Sequence, residues 1–303
     1  MNGQPLPDRF SILGAATTLA NLLQQASWNT NTPLHGCSLE SRDPKVIAEL
    51  WPLLDWLYHY YFRVQTEGWE VLPKDEPVLF IASHNGGMGS PDLFMFLRDW
   101  CDRFGSERLI YALMNPKVWK VFPDAAKLAT QMGALQAHPK MAIAALQSKA
   151  SLLIYPGGAR EVFRPHAQRK EVHLYNRKGF IKVALREEVP IVPLVSYGAH
   201  STLFVLADLY PALKQLHRMG MPWLFGIDPE VYPLYLGLPW GLGIGPLPNI
   251  PLPMAIKTKV CPPIFFKKYG FAASQNQDYV DECYHLVQST MQSALDTLSF
   301  GMK

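Results

Sequence analysis

The sequence predicts an α/β fold: a central mixed, largely parallel sheet flanked by helices, with an N-terminal amphipathic helix and a C-terminal helix. Three observations predict it. Apolar runs of strand length recur at "VLFIAS", "RLIYALM", "SLLIYP" and "PIVPLVSYG". Helix-patterned segments lie between them. The chain has 303 residues, 49% of them hydrophobic, enough to cover a sheet on both faces.

Ahead of the sheet, residues 1–42 read as a short helix and an irregular linker around "SWNTNTPLHGC". The apolar stretch in "MNGQPLPDRFSILGAATTLANLL" is not expected to be a cleaved signal, because Asp8 offsets Arg9 and no small-residue cleavage site follows. In "RDPKVIAELWPLLDWLYHYYFRV" Asp43 suits an N-cap and Pro44 the first helical position. On a helical wheel Lys45, Glu49, Pro52, Asp55, His59 and Arg63 share one arc, and the remaining face is apolar or aromatic. Such a face suits either core packing or the lipid interface. Charges inside the segment argue against spanning, and no run of about 18 residues elsewhere is free of charges and breakers. The expectation is a peripheral or monotopic chain on the cytoplasmic side of a membrane.

The strand "VLFIAS" leads to His84, and a helix is expected from Pro91 to about Phe104, with Ser90 as N-cap and Asp92 in its first turn. After "RLIYALM" come helical segments between Pro116 and Ala150, then "SLLIYP", a basic loop, the helix "RKGFIKVALREE" and the strand "PIVPLVSYG". Residues 219–253 hold eight prolines among Trp, Leu, Phe and Gly, so no regular helix runs through them. They suit a packed loop or a greasy surface facing lipid or an acyl chain. "MAIKTKV" alternates like a half-exposed strand, and Asp278 to Leu298 repeats apolar residues at helical spacing.

The charge balance, 28 basic against 25 acidic residues, excludes a nucleic-acid binder. Cys37, Cys101, Cys261 and Cys283 show neither metal spacing nor a disulfide framework, which fits a reducing compartment and no metal.

Two segments carry candidate chemistry. In "SHNGGMGSPD", His84 follows a buried strand at the carboxyl edge where open α/β sheets bind ligands. Asp92 can serve as a first-turn carboxylate, or it can fix the imidazole tautomer while the other ring nitrogen takes a proton from a hydroxyl. In "YPGGARE" two glycines let backbone approach a ligand, and Arg160 offers a planar fork to a phosphate or carboxylate. Arg177, Lys178 and Lys182 lie near the next helix start, as site residues or as a solvated basic face.

Together these segments resemble the glycerolipid acyltransferase superfamily over about residues 78–265. The superfamily's "HxxxxD", "PEGTR"-like and "VPIVPV"-like motifs have counterparts in "SHNGGMGSPD", "YPGGARE" and "VPIVPL". "PGGARE" followed by "NRKGFIKVALREEVPIVPLVSYG" is most similar to the diacylglycerol acyltransferase type 2 and phytyl ester synthase branches, and "IPLPMAIKTKVCPPI" resembles their closing strand. Two departures stand out. Seven residues separate His84 from Asp92 where the superfamily has four, so that Gly89 occupies the usual Asp position, and Gly157 replaces the glutamate of "PEGTR".

The resemblance implies a linker (1–42) and an acyltransferase domain (43–303) with a membrane-facing helix at 43–64, an α/β core at 78–265 and a C-terminal helix at 276–299. It implies an O-acyltransferase that needs no cofactor and moves a fatty acyl group from acyl-CoA or acyl carrier protein to a lipid hydroxyl. His84 and Asp92 would be catalytic. Asn85, Gly86, Gly157, Gly158, Arg160, Glu161, Arg177 and Lys178 would contact substrate. Because "GALQAHPK" lacks the arginine of phosphate-recognising members, a neutral alcohol such as diacylglycerol or phytol is expected. A lysophospholipid acyltransferase and a non-catalytic lipid-binding protein are the alternatives. A hydrolase is disfavoured because the chain has no "GxSxG" elbow.

Overall fold

The computed structural model describes residues 35–74, 76–105, 108–223, 226 and 228–300. The expected leading helix and most of the linker lie outside them. The chain enters through α1 (Pro44–Trp56), where Asp43 accepts a bond from the Lys45 N–H at 2.9 Å and Pro44 opens the helix, as its sequence signals predict. A π-helical turn (Leu57–Tyr61) continues it. Leu50, Leu54, Tyr58 and Phe62 recur every four residues and are buried against Met95, Leu128, Ala199 and Ile256, so one stripe of this segment is committed to the core.

A seven-stranded sheet forms the centre. Its strands are β1 (Gln65–Glu67), β2 (Leu79–Ala82), β3 (Ile110–Met114), β4 (Ala134–Gln136), β5 (Ser151–Ile154), β6 (Ile191–Tyr197) and β10 (Lys257–Val260), in the order β1-β10-β6-β2-β5-β3-β4. Every pairing is parallel except β10 with β6, which gives the mixed, largely parallel sheet expected. Side chains alternate between two helical layers. Leu79 and Ile81 of β2 pack beneath the sheet with residues of α7 (Gly179–Arg186) and α10 (Gln277–Phe300). Phe80 and Ala82 pack above it with Phe96 and Trp100 of α2 (Pro91–Phe104).

In α10, Val280, Tyr284, Val287, Met291 and Leu295 are spaced by four, three, four and four residues and are all buried. Full burial of such a side chain contributes roughly 1.5–3 kcal/mol, so this stripe holds the C-terminal helix against the sheet. Between β3 and β5 the expected helical stretch is α3 (Lys117–Val121), α4 (Pro123–Gln131) and α5 (Pro139–Gln147), interrupted by the short strand β4. Two further short helices are α6 (Gly158–Val162), which follows β5, and α9 (Phe271–Gln275), which precedes α10.

The Pro-rich region departs from the expectation of irregular chain. Two strands, β8 (Pro233–Gly237) and β9 (Gly241–Ile244), form a hairpin that pairs antiparallel with β7 (Phe204–Asp208) in a separate three-stranded sheet. Pro233 is tolerated because it stands first in its strand. The helix α8 (Tyr210–Arg218) links β7 to this hairpin segment.

Candidate active site

The sheet brings the two motifs together. In the parallel pairing of β2 with β5, Ile81 faces Ile154, and His84 and Gly157 each lie three residues beyond those partners. Both loops therefore leave the same carboxyl edge side by side. The glycine loop 84–90 is compressed. Gly86 (φ 84°) and Gly87 (φ 68°) adopt left-handed backbone, and a Cβ on either would overlap Pro91 and Thr202, or Leu203 and Asn249. The extra loop residues fold into this compact turn, which returns Asp92 to His84.

His84 Nδ1 lies 3.5 Å from Asp92 Oδ2, with Asp92 buried and the His84 side chain 17% exposed. The contact is long, of a kind that tightens in substrate complexes. Asp92 Oδ2 also accepts the Asn85 N–H at 2.9 Å, and its Oδ1 accepts the Leu93 N–H at 2.9 Å. Asp92 thus serves as helix-start carboxylate and imidazole partner at once. Ser90 occupies the N-cap position but makes no capping bond; its hydroxyl donates to the Gly87 carbonyl instead. Tyr155 lies against the imidazole, ring centroids 4.3 Å apart, and its buried hydroxyl has no hydrogen-bond partner among the described residues. Burial and the nearby Asp92 and Glu161 carboxylates push that phenol well above its usual range.

Behind His84 lies a buried brace. Glu161 is fully buried; its carboxylate accepts the N–H groups of His84 and His173, each at 3.0 Å. Burial pushes its carboxyl up to about 7, against the pull of Arg164 and of the two N–H donors. Arg164, also buried, donates to the carbonyls of His84 (2.8 Å), Glu161 (2.9 Å) and Gln168 (3.1 Å) and to Asn85 Oδ1 (2.8 Å). Asn249 clasps the glycine loop from outside, accepting the Gly89 N–H and donating to the Gly86 carbonyl.

The expected substrate contacts divide accordingly. Asn85 and Glu161 are fully buried with their polar groups bonded internally, so the structure assigns them to the brace and not to a ligand surface. Lys178 pairs with Asp281 of α10 at 2.6 Å, and so holds the C-terminal helix and not the site. Arg177 donates to the Pro156 carbonyl and abuts Gly158, supporting the "PGGA" turn, and Gly157 leaves no room for a Cβ against Glu161 and the His173 carbonyl. Arg160 is exposed, its guanidinium 4.4 Å from the Tyr175 ring centroid. Of the expected residues at this edge, His84 and Gly158 are partly exposed, and Asp92, Gly86 and Gly157 are buried behind them.

Comparison with known proteins gives this geometry a context. The family model described as diacylglycerol acyltransferase matches residues 112–225. Over that stretch the chain is similar to the diacylglycerol acyltransferase family. An uncharacterised protein of Mycobacterium tuberculosis is 26% identical over 253 residues, 83% of this chain and 66% of that protein. The cattle protein named "DGAT1/2-independent enzyme synthesizing storage lipids" is 27% identical over 197 residues, 64% of this chain and 56% of its own length. The chain thus spans less than two thirds of these relatives. The crystal structure of the 1-acyl-sn-glycerophosphate acyltransferase PlsC from Thermotoga maritima shares the fold, with a TM-score of 0.50 and 13% identity over 95% of this chain and 94% of that one.

Three site residues escaped the sequence reading: Tyr155, Arg164 and Asn249. Tyr155 opens the quoted "YPGGARE" and was the most accessible to pattern reading. Arg164 lies in a basic loop, and two of its four acceptors, the His84 carbonyl and Asn85 Oδ1, come from a segment distant in the chain.

Proposed function

We propose that this chain transfers a fatty acyl group from a thioester, acyl-CoA or acyl carrier protein, to the hydroxyl of a neutral lipid alcohol such as diacylglycerol or phytol. The observation that carries the reading is His84 at the carboxyl edge of β2, its backbone held by Glu161 and Arg164 and its Nδ1 facing buried Asp92. With Nδ1–H toward Asp92, Nε2 is the basic nitrogen and takes the hydroxyl proton as the oxygen attacks the thioester carbonyl. The C–S bond then breaks, and the imidazolium returns its proton to the leaving thiolate. Backbone N–H groups of the two glycine-containing loops would stabilise the oxyanion.

Two further features support a neutral acceptor. Arg164 is engaged by the brace and Arg177 by the Pro156 carbonyl, which leaves Arg160 as the exposed arginine of the "PGGARE" loop, and "GALQAHPK" supplies none. The mammalian relatives' names describe storage-lipid synthesis.

The test is transfer from labelled acyl-CoA and acyl-carrier protein to detergent-dispersed diacylglycerol, phytol and lysophosphatidate, with product ester separated by chromatography. His84→Ala is expected to lower turnover by about 10²–10⁴-fold with an unchanged melting temperature. Undiminished transfer by His84→Ala would overturn the assignment. Ester formation on lysophosphatidate alone would replace the acceptor class, and lipid binding without any ester would leave a binding protein.

A further inference from the structure

The three-stranded sheet is apolar on both faces. Its inner side chains, Val205 and Tyr235, pack on Val162 and Phe163 beside Met88 of the glycine loop. The outer row Phe204, Leu236 and Leu242, joined by cross-strand pairing, should be polar in a sheet that faces water, because antiparallel sheets alternate apolar-in and polar-out. It is instead exposed at 42%, 46% and 62%. Ile244 on β9 and Leu238, bridged to Ile250, extend the row to the hairpin turn at Trp240, which is 51% exposed. Residues 231–256 contain no charged side chain. A contiguous apolar surface of this kind marks an interaction site.

Its charge surroundings select the occupant. The acids of this region are engaged within the chain: Asp208 accepts the Tyr210 and Tyr232 N–H groups, Asp228 the Tyr210 hydroxyl, and Glu230 pairs with Lys117. The outward charges are cationic, Lys214 and Arg218 on α8, beside exposed Leu216 and Met219. At the other margin Arg63 donates to the Pro253 carbonyl and the Tyr61 hydroxyl to that of Pro251, tying the end of the first helical segment to the same surface. Apolar residues with an interfacial Trp and a basic rim match the boundary of an anionic leaflet.

We propose that the outer face of the β7-β8-β9 sheet docks on an anionic lipid bilayer and presents the His84 loop, one layer of backbone away, to lipid in that leaflet. The presentation of substrate rests on the acyl-transfer reading; the docking does not. It also relocates the membrane contact from the 43–64 helix, whose Leu50, Leu54, Tyr58 and Phe62 stripe is buried.

The test is co-flotation of the full chain with vesicles of phosphatidylcholine containing about 30% phosphatidylglycerol. A Leu236→Thr, Leu242→Thr, Ile244→Thr variant keeps strand-compatible side chains and is expected to lose vesicle affinity by about a hundredfold, while Lys214→Glu with Arg218→Glu weakens only the anionic component. Phe265→Ser with Phe271→Ser, which alters exposed apolar residues elsewhere, and His84→Ala should bind as wild type. Circular dichroism and melting temperature establish that the threonine variant is folded; if it is not, quenching by brominated lipid that is lost in the single variant Trp240→Phe decides the point. Retained vesicle binding by the folded threonine variant would overturn the proposal. So would a wild-type chain that ignores vesicles but forms a dimer dispersed by the same substitutions, because the face would then meet a second copy. Transfer in detergent without vesicle binding would sink the docking alone, and vesicle binding without transfer would sink only the chemistry.

Discussion

In the seven-stranded sheet, Leu79 and Ile81 of β2 face one helical layer and Phe80 and Ala82 the other, all buried. In the three-stranded sheet, Tyr235 is buried on the inner side while Leu236, one residue on, is 46% exposed. Both regions are rich in apolar residues. The difference is what covers the second face. The large sheet meets helices of its own chain there and can hold its loops rigidly enough for chemistry. The small sheet meets little there, Phe204 stacking on His166 while Leu236 and Leu242 stay exposed, so the same residue types become a surface.

Substitutions that separate rigid edge from open face make this comparison testable. The largest expected effect is at the brace: Arg164→Ala strands Asn85 Oδ1 and three carbonyls in a buried place, and should lower unfolding free energy by about 3–5 kcal/mol, measured by denaturant unfolding. A cost under about 1 kcal/mol would mean that the edge is not held as described.

Next is Glu161→Gln. Because the folded-state carboxyl is raised to about 7 from an ordinary 4.5, the native protein binds this proton more tightly than the unfolded chain does. Glu161 therefore makes stability decline as pH rises from about 4.5 to about 7, with no further contribution outside that window. Glutamine removes the decline, but its amide cannot accept from both the His84 and His173 N–H groups, a loss of about 1–3 kcal/mol at low pH. Melting temperatures that follow the wild-type pH slope would refute the buried, protonatable brace.

Asp92→Asn should cost roughly tenfold or more in turnover, because an amide neither selects the Nδ1–H tautomer nor stabilises the imidazolium. Equal kinetics would reduce Asp92 to a helix-start carboxylate. The smallest effect is expected on the open face, where Leu242→Thr should change unfolding free energy by less than about 0.5 kcal/mol. A larger loss would show that the face is covered by the chain itself.

The chain's legibility in sequence follows the same division. Strands β2, β3, β5 and β6, the caps of α1 and the stripe of α10 were readable because burial on regular elements leaves a periodic trace. β1 ("QTE") and β4 ("ALQ") were not, being three residues long, and β1 lies at the sheet's edge, where pairing needs no apolar pattern. The small sheet was hidden by prolines that signal loop. At the site, the sequence named His84, Asp92 and the two glycine motifs, which the sheet brings to one edge. The internal bonding of Asn85, Glu161 and Lys178 was not legible, because whether a polar side chain faces solvent or a partner inside the chain depends on segments up to about a hundred residues away.

The pairing of Ile81 with Ile154 has a consequence for how this chain tolerates changes of length. A residue inserted within β2 or β5 would turn His84 or Gly157 to the opposite side of the sheet, because strand side chains alternate. A residue inserted between Asn85 and Ser90 only enlarges a turn whose two ends are pinned, at His84 by Glu161 and at the helix start by Asp92. The site is thus indifferent to loop length and strict about strand register. Three additional residues between histidine and aspartate are accommodated for that reason, and a search by fixed spacing overlooks a pair that the fold keeps in contact.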